Sequence, residues 1–212
     1  MYLMSYFRTE AEALHLAFSE DGLRWEPLNG NQPVLEGSVG SRTLRDPHLS
    51  RDREGQYHLF ATDGWSSDRI IHCWSADLLN WSAQQSLPVM ASIKGTRNCW
   101  APECFRDQEH GVYRLIWSST VQPDESPTSW DHRIWGCTTD DFYSYSLPEP
   151  FLDPGYSVID ATVAAYEGRY LLAFKDERGE NRLGTPYKAI RVCLSSAATG
   201  PWVEISDLVT PS

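Results

Sequence analysis

Leu44-Arg45-Asp46-Pro47-His48-Leu49 is the stretch on which the reading of this chain turns. An aspartate stands just ahead of a short apolar strand. A polar turn with a glycine follows at Asp52-Arg53-Glu54-Gly55, and the next strand begins at Tyr57. The phrase returns as Ala101-Pro102-Glu103-Cys104-Phe105, a turn and Tyr113-Arg114-Leu115-Ile116-Trp117. It returns again as Asp160-Ala161-Thr162-Val163, a turn and Tyr170-Leu171-Leu172-Ala173-Phe174. The three tyrosines are 56 and 57 residues apart. A period of that length marks repeated modules.

A second phrase shares the period. Ser19-Glu20-Asp21-Gly22-Leu23-Arg24-Trp25 is a tight turn leading to an aromatic, and it recurs at 75–81, 139–145 and 195–202, with closing aromatics 56, 64 and 57 residues apart. Each period reads as four short strands, for example 46–50, 57–62, 69–75 and 80–85, with Gly, Asp, Asn and Ser between them. No stretch carries a helical period. Four-stranded units in series are the signature of a β-propeller. The expected fold is therefore all-β: a propeller with blades at 43–85, 98–148 and 157–205 and a partial closing blade from residues 2–28. Residues 1–212 read as one incomplete propeller. An open ring leaves strand edges unpaired, so the chain is expected to continue beyond Ser212.

Composition narrows the partners. Formal charge is −11, with no basic run to follow a phosphate backbone, so nucleic acid is not expected. No stretch is long and apolar enough for a membrane span. Met1-Tyr2-Leu3-Met4-Ser5-Tyr6-Phe7 lacks the marks of a signal peptide, and the compartment is not legible. The five cysteines have no close pairing and read as small buried hydrophobes. Six histidines without metal-ligand spacing give no reason to expect a metal. Nine tryptophans and ten tyrosines are either half-buried strand residues or flat platforms for sugar rings. Trp65, Trp100, Trp117, Trp130 and Trp135 are the candidates for the second role.

In a propeller, matching positions on successive inner strands converge on the axis. Alignment of the repeats sets Asp46 against Ala101 and Asp160, with Glu103 two residues beyond Ala101 on the same strand face. Carboxylates at strand starts often only cap turns. Three directed at one small volume raise one another's pKa and suit acid/base chemistry.

Leu44-Arg45-Asp46-Pro47, Asn98-Cys99-Trp100-Ala101-Pro102-Glu103 and Val158-Ile159-Asp160-Ala161-Thr162 resemble three successive inner-strand motifs of glycoside hydrolase family 43, five-bladed propellers acting as arabinofuranosidases, xylosidases and arabinanases. The resemblance implies that Asp46 is the general base that activates water. It makes Asp160 the second aspartate, which tunes the acid's pKa and orients it, while Trp100 and Glu103 border the bound sugar. Trp65 and His132 are further candidates for substrate contact, with Arg133 and Lys175-Asp176-Glu177 behind them. The partner would be an oligo- or polysaccharide. The roles fit inversion, in which the base and the acid stand about 6.5–9.5 Å apart to leave room for a water. The family's acid is a glutamate on the next inner strand, about where this chain stops at Val209-Thr210-Pro211-Ser212. The 212 residues alone are therefore expected to hydrolyse glycosides poorly or not at all. No cofactor is expected, although some family members hold a calcium or other ion in the complete channel.

Arg45-Asp46-Pro47 and Glu103-Cys104 also resemble motifs of the invertase-like family 32, in which Glu103 would be the acid and configuration would be retained. The nucleophilic aspartate that family needs has no match before Arg45. A third reading is a carbohydrate-binding propeller, or a fragment of one, without catalysis. Sugar, linkage, exo or endo action and oligomeric state are not legible.

Overall fold

Each tyrosine of the repeat opens the central hairpin of a four-stranded antiparallel meander. The computed structural model describes residues 1–122, 130–178 and 188–204, and these contain fifteen strands, one single-turn 3-10 helix at Asn29–Asn31 and no α-helix. Residues 123–129, 179–187 and 205–212 lie outside the described residues.

The chain divides into two compact units. The first, Met1–Ala91 with Asn98–Pro102, holds two sheets. One runs β1 (Tyr2–Arg8), β2 (Ala11–Ser19), β3 (Glu26–Pro27). The other runs β4 (Leu44–Arg51), β5 (Tyr57–Asp63), β6 (Ile70–Ser75), β7 (Gln85–Leu87). Leu14 and Leu16 of β2 pack with Leu44, Leu59, Ala61, Ile71 and Cys73 to form the core between them. β5 is buried on both faces, His58 to Asp63 without a break. Each fully buried Leu or Phe there contributes roughly 1.5–3 kcal/mol.

The second unit, Ser92–Arg97 with Glu103 onward, holds the sheet β8 (Trp100–Asp107), β9 (Val112–Thr120), β10 (His132–Thr139), β11 (Glu149–Leu152). Beside it in sequence is the sheet β12 (Val158–Tyr166), β13 (Arg169–Asp176), β14 (Ala189–Ser195), β15 (Val203–Glu204). The first three residues of β8 belong to the first unit. Ile116 and Ile134 pack with Val158, Ala161, Val163, Leu172 and Phe174. All five cysteines are buried and none is in a disulfide.

The second repeated phrase has a local physical cause. Ser19, Ser75 and Thr139 each accept, on the hydroxyl, the amide three residues on: Gly22 at 2.9 Å, Leu78 at 2.8 Å and Phe142 at 2.9 Å. Asp21, Asp77 and Asp141 then accept two amides each, those of Leu23 and Arg24, Leu79 and Asn80, and Tyr143 and Ser144. These donors hold all three carboxyls below the usual aspartate range. The same turn corrects the expected fourth strand at 80–85. Residues 77–80 are spent in the turn, Trp81 makes only an isolated bridge to Ser75, and the ladder starts at Gln85.

Candidate active site

Asp46 does not stand ahead of a strand, as the sequence suggests, but inside β4 at a bulge. Arg45 pairs with Thr62 and His48 with Phe60, so Asp46 and Pro47 together face the one residue between. Asp46 takes φ 46, in the left-handed region. β12 repeats the device: Ile159 pairs with Lys175, Thr162 with Ala173, and Asp160 has φ 54. Ala101, at the matching place in β8, has φ 47. An aspartate tolerates this conformation better than an alanine, for which it costs roughly 1–2 kcal/mol. A bulge re-aims the side chain it carries. The left-handed φ of Ala101 departs from extended strand geometry, so simple alternation does not by itself set Glu103 on the face of Ala101. Pro47 and Pro102 follow two of the three residues, where a missing N–H leaves no ladder bond broken.

Around Asp46 the first unit builds a polar and aromatic cluster. Thr62 Oγ1 donates to Asp46 Oδ2 at 2.7 Å and accepts the amide of Ala101 at 2.8 Å. The Arg45 guanidinium lies over Phe7 (4.7 Å) and Trp65 (4.6 Å) and pairs with Glu12 at 2.5 Å. Trp65 is 62% exposed and meets Trp100 edge to face at 5.5 Å, while its carbonyl accepts the Trp100 indole N–H at 3.0 Å. Its loop is fixed by buried Asp63, which accepts the amide and hydroxyl of Ser41 at 2.7 Å each. Gly64, at φ 65, is needed there, because a Cβ would lie 2.7 Å from Ser41 Oγ.

Asp160, in the second unit, has its side chain 49% exposed. Its amide donates to Ser118 Oγ at 3.2 Å, and Lys175 Nζ is 3.9 Å from its Oδ2. Lys175 also pairs with Glu177 at 3.2 Å, and Glu177 with Lys188. The run Lys175-Asp176-Glu177 thus divides: Lys175 faces Asp160, while fully buried Asp176 binds Arg178 and Arg191. Glu103 is half-buried.

Two candidates lie deeper than the sequence suggests. His132 is 2% exposed and stacked on Trp130, and burial pushes its pKa down to about 4 against the pull of Glu177 and Asp131. Arg133 is engaged by Asp131 and Asp153. Trp117, read as a possible sugar platform, is a core residue at 1% exposure, because β9 is buried on both faces there. Sequence reasoning missed Thr62 and Ser118, although both stand five residues after a repeat tyrosine, as does Lys175. Among the described residues no group of three or more His, Cys, Asp or Glu could hold a metal ion.

Asp46 is thus a carboxylate with one oxygen fixed by a hydroxyl, in a unit where exposed Trp65 packs on half-buried Trp100. Such an arrangement can take a proton from water next to a ring-shaped ligand. Comparison with known proteins gives the setting. The chain is 28% identical over 220 residues to an α-L-arabinofuranosidase of Bifidobacterium longum subsp. longum; the match covers 91% of this chain and 21% of that protein's length. An endo-1,4-β-xylanase structure from Bacteroides thetaiotaomicron superposes with TM-score 0.66 at 16% identity, over 97% of this chain and 68% of that one. An α-L-arabinofuranosidase from Clostridium thermocellum gives 0.65 at 13%, over 96% and 68%. The fold is the all-β propeller fold of these proteins. The profile of a family related to glycoside hydrolase family 43, described as "Probable glycosyl hydrolase domain", matches residues 1–210, and the chain belongs to that family.

Proposed function

We propose that this domain serves an inverting glycoside hydrolase acting on arabinose- or xylose-containing plant oligo- or polysaccharides. The observation that carries the reading is the setting of Asp46: a re-aimed aspartate, hydrogen-bonded through one oxygen to Thr62, beside the Trp65–Trp100 pair. Asp46 is the general base that takes a proton from water as it attacks the anomeric carbon. Asp160, beside Lys175, is the second aspartate that tunes and orients the acid. Trp100 and Glu103 border the sugar, and Trp65 offers its exposed ring as a stacking surface. The proton donor is assigned to a glutamate outside the described residues. Relatives named as arabinofuranosidases and a xylanase support the sugar class. No cofactor is assigned.

The exposure of Trp65 also suits a sugar-binding propeller without catalysis. Turnover of p-nitrophenyl α-L-arabinofuranoside and β-D-xylopyranoside, with calorimetric binding of the free sugars, separates the two. An enzyme loses at least about 10²-fold in turnover in Asp46→Ala and in Asp160→Ala while sugar still binds. Sugar binding with no turnover even of 2,4-dinitrophenyl glycosides, whose leaving group needs little help from an acid, would instead identify a binding module.

A further inference from the structure

Thr62 is 1% exposed, on the strand next to the Asp46 bulge. Its hydroxyl has two partners and one hydrogen. The Ala101 amide, 2.8 Å away, can only donate, so Thr62 Oγ1 accepts from it. The single O–H is then directed to Asp46 Oδ2 at 2.7 Å. The β-branched side chain is stiff about χ1, which fixes the direction of that bond. Oδ2 is thereby occupied, and Oδ1 is the oxygen left without a donor among the described residues.

The matching positions point the same way. Lys175, five residues after its tyrosine as Thr62 is after Tyr57, has its cation 3.9 Å from Asp160, the bulge residue of its own sheet. Ser118 stands at the third such position, where the left-handed residue of its own sheet is Ala101, and there it accepts the amide of Asp160. At each place where the bulge holds an acid, the neighbouring strand supplies a donor.

We propose that Thr62 is a positioning residue for the reaction: it holds the Asp46 carboxylate turned so that Oδ1 takes the proton from the attacking water. This rests on the reading of Asp46 as the base. The test uses Thr62→Val, which keeps the shape and removes the hydroxyl, with Thr62→Ser as the conservative control. With 2,4-dinitrophenyl α-L-arabinofuranoside, kcat is expected to fall about tenfold in Thr62→Val with KM within about twofold of wild type, and to return in Thr62→Ser. In protein labelled with 13C at the aspartate carboxyls, the Asp46 signal, identified by its absence in Asp46→Asn, is expected to move in Thr62→Val and to return in Thr62→Ser. Should Thr62→Val not fold, Thr62→Ala is read by the same two measurements. An unchanged kcat or an unmoved Asp46 signal in the hydroxyl-free variant overturns the proposal. Turnover that survives Asp46→Asn overturns the base assignment instead, whatever the Asp46 signal gives.

Discussion

Thr62 and Ser118 occupy the same place in successive repeats, and each accepts the backbone amide of a left-handed residue on a following inner strand: Ala101 at 2.8 Å and Asp160 at 3.2 Å. A hydroxyl five residues after the repeat tyrosine therefore holds the left-handed residue that comes next in the chain. The site carboxylates depend on this backbone feature as much as on their own residue type.

Removal of the acceptor has a cost that can be measured. Ser118→Ala leaves the Asp160 amide without this bond and is expected to destabilise the protein by roughly 1–3 kcal/mol in urea unfolding, with Ser118→Thr within about 0.5 kcal/mol of wild type. A cost below about 0.5 kcal/mol for Ser118→Ala would mean that the amide bond does not hold the bulge.

The left-handed turn of the backbone in β8 is strained by its residue type. Ala101 at φ 47 would be relieved by glycine, so Ala101→Gly is expected to raise stability by up to about 1 kcal/mol, although glycine within a strand usually lowers it. Ala101→Val should destabilise by more than that. Thermal unfolding of the pair reads both, and a loss of stability in Ala101→Gly would contradict the conformation.

Acid should loosen the β4–β6 sheet through a buried histidine pair. His58 Nδ1 is 3.1 Å from His72 Nε2, and His58 Nε2 is 3.2 Å from Asp52. Burial lowers the pKa of His58, opposed by Asp52 and Glu54. It pushes His72 down to about 3, with the charge of His58 acting in the same direction. Unfolded imidazoles protonate near 6.5 while the folded ones stay neutral, so this stability is fully present above about pH 6.5 and is lost as pH falls from there toward 3. The slope for a fully depressed group is on the order of 1.4 kcal/mol per pH unit. His72→Phe should flatten the fall between pH 6 and about 4 in urea titrations. An unchanged slope would remove His72 from the account.

Two tryptophans that look alike in the sequence should behave oppositely. Trp117→Ala is expected to cost roughly 3–5 kcal/mol of stability, because a fully buried indole leaves a cavity. Trp65→Ala should leave stability within about 1 kcal/mol and raise KM for an aryl arabinofuranoside about tenfold. A stability loss in Trp65→Ala like that of Trp117→Ala would make Trp65 a packing residue.

The all-β meanders were legible because the tyrosine period and the Ser-x-Asp turns are local chemistry: a hydroxyl and a carboxylate satisfying nearby amides. The left-handed residues were not, since nothing about an alanine at 101 signals positive φ, and the bond from its amide to Thr62 of the preceding repeat has no mark in the sequence. Asp46 and Asp160 could be named from their repeat positions, but Thr62 looks like an ordinary strand threonine until its two partners are seen together. The burial of Trp117 and His132 is hidden for a related reason. A polar or aromatic residue in a strand buried on both faces has no sequence mark that separates it from one at a strand end.

As the base, Asp46 delivers water to the anomeric carbon. The most direct test is 1H NMR of the sugar first released from 2,4-dinitrophenyl α-L-arabinofuranoside by wild type and by Asp46→Asn, since so good a leaving group needs little help from an acid. An inverted first-formed anomer is expected, with a rate lowered about 10²–10⁴-fold in Asp46→Asn and arabinose binding intact. A retained anomer, or a rate unchanged by the substitution, would contradict it.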